Sequence, residues 1–309
     1  MTTLLLTHPS ALDHATGMGH PERPDRIRAL NEEFGRAVYS MLARDEAPLA
    51  ELDAVTLAHP ADYAEKLREV VPADGAVRID GDTVMSAKSW QPIMRAVGGA
   101  MRAVDEVFER KASNAFVMMR PPGHHAETAT PMGFCFFNNV AIAARHAQKK
   151  HGAERVAIID FDVHHGNGTQ DIFWADPSVL YASTHQMPLY PGTGAKSETG
   201  AVNTIVNAPL SAGDGGTQFR EAFESVILPR INNFQPDLVL ISAGFDAHRN
   251  DPLANLNLVE DDFAWVTGKL MDLADKHAKG RVVSLLEGGY DLEGLARSAG
   301  AHVRTLMRG

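Results

Sequence analysis

The chain has 309 residues and a net charge of -10, with no visible stripe of lysine and arginine, which argues against direct nucleic-acid binding and suits a cationic or basic partner. Its one cysteine, Cys135, excludes an internal disulfide and fits a reducing, cytoplasmic setting. No apolar run approaches the roughly 20 residues needed to cross a bilayer, and the opening MTTLLLTHPS lacks the basic flank of a signal peptide.

Length alone would suggest about two domains. Apolar runs and amphipathic stretches instead alternate from end to end, with no linker, charge block or repeat. The pattern predicts one α/β domain over residues 1–309, a central mostly parallel sheet flanked by helices.

Residues 4–6 read as a first strand. A helix is expected over 25–44, entered through Pro24, and another from Pro60 and Asp62 to Val71. The Gly- and Asp-rich stretch 73–86 reads as a surface loop, and 90–109 as a long helix. Residues 115–119 form a buried strand, followed by an aromatic loop over 133–139 whose asparagines can cap a helix over 140–150. After a strand at 156–159 come a short helix over 169–174, a strand at 179–183 and a loop, 185–200, too long for a simple connection. Further strands are expected at 203–206, 237–241 and 281–286, and further helices at 217–234 and 260–277.

The chemistry gathers where the strands end. RVAIIDFDVHHGNG, residues 155–168, opens with a β-branched run suited to burial on both faces and then delivers Asp160, Asp162, His164, His165 and Asn167. In an extended chain Asp162 and His164 share a face, a bidentate start for a divalent ion, with Asp160 one step deeper as an orienting acceptor. Standing alone, the same residues would also serve as a hydrogen-bonded strand end. At 120–125, two prolines and a glycine make a rigid turn carrying His124 and His125, which reads either as a fixed general base or as a surface turn. The strand at 237–241 leads to Asp246, and the last strand leads to Glu287-Gly288-Gly289-Tyr290, a glycine turn whose tyrosine either packs or donates. One nitrogen and two carboxylates, from Asp162, His164 and Asp246, form an incomplete shell of the catalytic zinc type. Hydrolysis of an amide needs a polarised carbonyl, an activated water, a proton for the amine and an oxyanion donor. The metal, the histidine pair and Tyr290 cover these roles.

PPGHHA, GFCFFNN, DFDVHHGNGTQ, YPGTG, SAGFDAHRNDP and LEGGY, with HPERPDR before them, occur in an order that resembles the histone deacetylase superfamily, specifically class II-like bacterial deacetylases and amidohydrolases of the arginase/deacetylase fold. The resemblance implies one zinc per chain on Asp162, His164 and Asp246, tandem catalytic histidines at His124 and His125, and a carbonyl-binding Tyr290. It implies that Asp160 backs His124, and that Asn167, an asparagine as in class II where class I has aspartate, backs His125. It matches Gly133, Phe134 and Tyr190 to walls of an acyl-lysine tunnel, Tyr190 standing where phenylalanine is common, and Arg26 to an internal cavity. It sets Leu253 at the tunnel mouth, where polyamine-selective members carry glutamate. It also implies a structural potassium ion near Asp160, Asp162, His164, Ser183 and Thr184, and a second near Phe173, Asp176 and Val179.

The implied activity is zinc-dependent hydrolysis of acetylated amines, of acetyl-lysine peptides above all, with acetylpolyamines or other small acylated amines as the alternative. A dimanganese hydrolase of the arginase kind is disfavoured, because it needs extra carboxylates to bridge two ions, whereas His164 is followed by His165-Gly166 and Asp246 by Ala247-His248. An inactive acyl-lysine binder is disfavoured because no ligand, histidine or tyrosine is missing. Homo-oligomerisation is left open.

Overall fold

The structure is a computed structural model that describes residues 2–308. Eight parallel strands form the central sheet: β1 (Thr3–Thr7), β2 (Ala43–Glu46), β5 (Asn114–Val117), β6 (Val156–Asp160), β7 (Val179–Gln186), β8 (Ile205–Leu210), β9 (Leu238–Ala243) and β10 (Val282–Leu286). A separate antiparallel hairpin joins β3 (Ala76–Arg78) to β4 (Val84–Ser86). The sheet order is β2-β1-β5-β10-β9-β6-β7-β8, and every neighbouring pair is parallel. Parallel strands need crossovers, and these put helices on both faces. That is why β6, β9 and β10 are buried along their whole length and are mostly Val, Ile, Leu and Ala, with one polar residue each, Asp160, Ser242 and Ser284.

The helices are α1 (Asp25–Phe34), α2 (Leu52–Val55), α3 (Ala61–Glu69), α4 (Trp90–Phe108), α5 (Asn139–His151), α6 (Asn167–Phe173), α7 (Gly216–Ala222), α8 (Leu228–Phe234), α9 (Glu260–His277) and α10 (Leu292–Leu306). Side chains alternate across β5 and show the layering. The Phe116 ring meets Phe34 of α1 and His302 of α10, while Val117, on the other face, touches Gly99 of α4. α9 and α10 pack together with α1 on one side, and α4 and α5 pair on the other.

Several expected boundaries differ. The helix expected over 25–44 stops at Phe34; Gly35 closes it, a single 3-10 turn at Ala37–Tyr39 follows, and the chain leaves as edge strand β2. The break lets the buried Tyr39 hydroxyl donate back to Glu33 Oε1 at 2.5 Å, a contact that a straight helix would not allow. The stretch 73–86 is not a plain loop but carries the β3–β4 hairpin. The strand expected at 203–206 is β8, running from Ile205 to Leu210. The helix expected over 217–234 holds a π-helical turn at Phe223–Ile227, just before Pro229, whose missing N–H breaks the regular ladder. Helix α10 was not anticipated; Asp291 caps it by accepting from the backbone N–H of Gly294.

Candidate active site

In the sheet order, β5, β10, β9, β6 and β7 are consecutive, so their carboxyl ends share one rim. Crevices outside strand carboxyl ends are where ligands bind in open α/β sheets. β6 leads to Asp160, Asp162 and His164, β9 to Asp246, β5 to His124 and His125, and β10 to Glu287 and Tyr290.

Donor atoms of Asp162, His164 and Asp246 lie within 4.8 Å of one another, and all three residues are buried. His164 Nδ1 sits 3.2 Å from Asp162 Oδ1 and 3.0 Å from Asp246 Oδ2. The convergence does not come from strand alternation, as the sequence suggested, because β6 ends at Asp160. The chain instead steps through side-chain-to-backbone turns. The N–H of Asp162 donates to Asp160 Oδ1 at 3.1 Å, and that of His164 to Asp162 Oδ1 at 2.9 Å. Gly288 passes so close that a Cβ there would lie 2.2 Å from Asp246 Oδ2, and its N–H donates to Asp162 Oδ2 at 2.8 Å.

Two buried carboxylates around one imidazole nitrogen demand positive charge at that point. Burial works against ionisation of His164, but its bonds to Asp162 and Asp246 outweigh it and raise the imidazole to about 10. Burial and Asp162 push Asp246 up to about 7, and burial pushes Glu287 to about 7. A site with this surplus of carboxyl groups, in a nitrogen-plus-two-oxygen set with an open side, fits a divalent ion of the zinc class.

The histidine pair is held from behind. His124 Nδ1 donates to Asp160 Oδ2 at 2.9 Å and His125 Nδ1 to Asn167 Oδ1 at 2.8 Å, with ring centroids 4.1 Å apart. Burial opposes charge on His124, yet Asp160 and Asp162 overcome it and hold the imidazole well above its ordinary value. Burial, then the neighbouring His124 and His164, hold His125 well below its ordinary value. His125 is therefore neutral, with Nε2 as its free lone pair.

Part of the support could not be read from the sequence. The Glu287 carboxylate accepts from the N–H groups of Gly123 at 2.7 Å and His124 at 3.2 Å and from Ser242 Oγ at 3.0 Å, pinning the turn that carries the histidines. The Tyr181 hydroxyl donates to Asp160 Oδ2 at 3.1 Å. Asp251 accepts from the Tyr290 N–H at 2.7 Å. Glu287 and Asp251 both lie within motifs already singled out, but nothing local says that a carboxylate will accept from backbone a long way off in sequence.

A cleft of about 550 Å³ opens onto His125, His164 and Tyr290. Its walls include Gly133, Phe134, Tyr190 and Leu253. Phe134 meets the Tyr290 ring edge-on at 5.9 Å, and Tyr190 meets that of His125 at 5.2 Å. Gly133, at φ 56°, leaves no room for a side chain, since a Cβ would lie 2.4 Å from His125 Cδ2. The hairpin read as a surface loop contributes Arg78, Gly81 and Asp82 to the mouth. Arg26 lies behind Tyr290 rather than in this cleft. Its guanidinium donates to the carbonyls of Gly289 at 2.7 Å and Glu287 at 2.5 Å, and its Cζ is 5.0 Å from the tyrosine ring centroid.

Of the residues expected around potassium, Ser183 Oγ is paired with His185 Nδ1, and the Asp176 carboxylate with Arg145 and Ser178.

The histone deacetylase domain family matches residues 20–306. The chain is 40% identical over 301 residues to a probable deacetylase of Archaeoglobus fulgidus, covering 95% of this chain and 83% of that protein. It is 37% identical over 286 residues to a histone deacetylase-like amidohydrolase of Pseudomonas aeruginosa, covering 91% and 74%. The crystal structure of the HDA15 HD domain superposes with a TM-score of 0.93 at 35% identity, over 99% of this chain and 88% of that one. With the eight-stranded parallel sheet, the shared rim and the match across nearly its whole length, the chain belongs to the histone deacetylase family.

Proposed function

We propose that the protein is a zinc-dependent deacetylase that hydrolyses the amide of acetyl-lysine-type substrates, releasing acetate and a free amine. The observation that carries this reading is the meeting of the Asp162, His164 and Asp246 donors with a neutral His125 and with Tyr290 along one aromatic-walled cleft. Phe134, Tyr190 and Leu253 would hold the aliphatic stem of the acylated amine. Asp162, His164 and Asp246 would hold the zinc ion, which when bound supplies Lewis-acid polarisation of the carbonyl and of the attacking water.

His125 Nε2 takes a proton from the attacking water. Its Nδ1–H stays on Asn167, so the accepting nitrogen keeps its aim, and the same nitrogen then returns the proton to the departing amine. His124, kept cationic by Asp160 and Asp162, favours the negative charge that develops on the carbonyl oxygen. Burial and Asp246 hold the Tyr290 phenol well above its ordinary value, so it remains a hydrogen-bond donor toward that oxygen. Arg26 and Asp251 fix the segment from which Tyr290 projects. Potassium, if held as the resemblance implies, would brace the loops behind Asp160 and Asp162.

A lysine-type substrate is favoured over a polyamine because the rim residue Leu253 is apolar, and because Arg78 and Asp82, both on the mouth, oppose each other in charge. The deciding experiment assays acetyl-lysine peptides against acetylated polyamines, with metal analysis of the same preparation. Activity lost on chelation and restored by about one equivalent of zinc supports the reading. Full activity requiring two equivalents of manganese, or no hydrolysis of either class with zinc bound, overturns it.

A further inference from the structure

Away from the cleft, Asp105 of α4 and His146 and His151 of α5 bring three further donor atoms within 4.8 Å of one another. Both imidazole Nε2 atoms aim at a single oxygen, Asp105 Oδ1, His146 from 2.8 Å and His151 from 2.7 Å. The three side chains are only 19%, 10% and 13% exposed. They are also held: the His151 ring stacks on Phe108 with centroids 4.7 Å apart and planes 12° off parallel, and Lys150 Nζ donates to the other oxygen, Asp105 Oδ2, at 2.8 Å.

We propose that Asp105, His146 and His151 form a second site for a divalent transition-metal ion of the zinc class, with solvent as the fourth donor. Two imidazole nitrogens and a carboxylate oxygen are a sufficient protein set for tetrahedral zinc, whose bonds to N and O of about 2.0 to 2.2 Å put ligand atoms roughly 3.3 Å apart. The present contacts need to open by about half an ångström, which the partly exposed His151, at the last turn of α5, can supply. Each Nε2 now donates its proton to Asp105 Oδ1, so an ion entering between them would take the place of those protons, with the remaining N–H of each ring carried on Nδ1. Burial opposes ionisation of Asp105, but its bonds to Lys150, His151 and His146 prevail and hold it at about 2. Lys150 on Oδ2 plays the part of an orienting outer partner, and its charge makes this the weaker of the two sites. An ion there ties α4 to α5, the helix pair that covers one face of the sheet.

The test titrates Zn²⁺ by calorimetry into protein first brought to one zinc equivalent and dialysed, with a thermal melt at each stage. The expected result is a second, weaker equivalent that raises the melting temperature, since an ion bound only to the folded state stabilises it. His151→Gln and His146→Gln each keep a hydrogen bond to Asp105 but remove an imidazole. Each should weaken the second equivalent by about tenfold or more, taking the loss of an outer partner as the lower bound. Asp162→Asn, which alters the cleft, should leave that equivalent in place, so the two metal assignments fail separately. If His146→Gln does not fold, His151→Gln alone decides. Absence of a second equivalent up to millimolar zinc, or its persistence at unchanged affinity in His151→Gln, overturns the proposal.

Discussion

His125 Nδ1 lies 2.8 Å from an amide oxygen, that of Asn167, whereas His124 Nδ1 lies 2.9 Å from a carboxylate, that of Asp160. A carboxylate favours the imidazolium and an amide does so far less, so the two adjacent rings are driven to opposite protonation states. His125→Ala should therefore abolish nearly all turnover. Asn167→Asp should raise the pKa of His125 and move the acidic limb of the kcat/KM profile to higher pH, because the base must then be deprotonated from a higher value. Asn167 Nδ2 also donates to Glu127 Oε1 at 2.8 Å, so Asn167→Asp is best read together with Glu127→Gln, which removes the new like-charge contact. An acidic limb that stays in place in both proteins would mean that another group sets it.

Tyr290 is half-buried, with its backbone held by Asp251 and its ring between Arg26 and Phe134. If its hydroxyl donates to the developing oxyanion, Tyr290→Phe should lower kcat by about 10² to 10³, the range for loss of one such donor. Metal content should not change, because the ligands lie on other segments. Near-normal turnover would assign the tyrosine to packing alone.

His302 gives a test of stability rather than of catalysis. It lies fully buried between Thr267 Oγ1 at 2.6 Å and Ser284 Oγ at 2.8 Å, and burial lowers it to about 3. Because the folded value lies below the unfolded one, the unfolded chain binds the extra proton. The stability that neutral His302 contributes is complete above about pH 6.5 and is lost as pH falls from there toward 3. At pH 5 the loss is about 2 kcal/mol. Urea melts should show His302→Gln with a stability-versus-pH slope shallower by about one proton between pH 4 and 6. Equal slopes would show that His302 is already neutral in the unfolded ensemble or charged in the fold.

The inner strands were legible because burial on both faces favours apolar residues, which fill most of their positions. β1, β5, β6, β9 and β10 each contain, or closely overlap, the run read from the sequence, and α9 keeps its expected ends. Strand β2 was hidden for the opposite reason. It is the edge strand Ala43–Glu46, mostly exposed, and its charged sequence carries no alternation. The hairpin β3–β4 was hidden likewise, since β3 is exposed throughout. Helix α10 does show apolar residues at helical spacing, Leu295, Ala299, Val303 and Leu306, so the signal was present and went unread. At the site, residue types and order pointed to the clustered groups, whereas the geometry that joins Asp162 to His164, and the clamps from Glu287 and Asp251, depend on backbone hydrogen bonds that only the fold creates.

Leu253 offers the sharpest handle on substrate choice. It lines the mouth of the cleft, and its N–H donates to Asp251 Oδ1 at 3.0 Å, which ties the rim to the residue that holds Tyr290. An acetylpolyamine carries a second ammonium near that rim, whereas an acetyl-lysine peptide brings neutral backbone. A carboxylate within about 4 Å of an ammonium is worth about 1 kcal/mol where water screens it and about 4 kcal/mol where the surroundings are less polar. Leucine supplies nothing of the kind. Leu253→Glu should therefore raise kcat/KM for acetylpolyamines relative to peptides by at least about fivefold, the equivalent of the lower figure. The gain should shrink as salt is raised, because a rim charge is partly screened. The backbone bond to Asp251 is independent of the side chain, so kcat on peptides should hold near its original value and separate a rim effect from damage to Tyr290. A wild-type protein that already prefers acetylpolyamines would refute the gate and shift attention to Asp82, the acidic side chain on the same mouth.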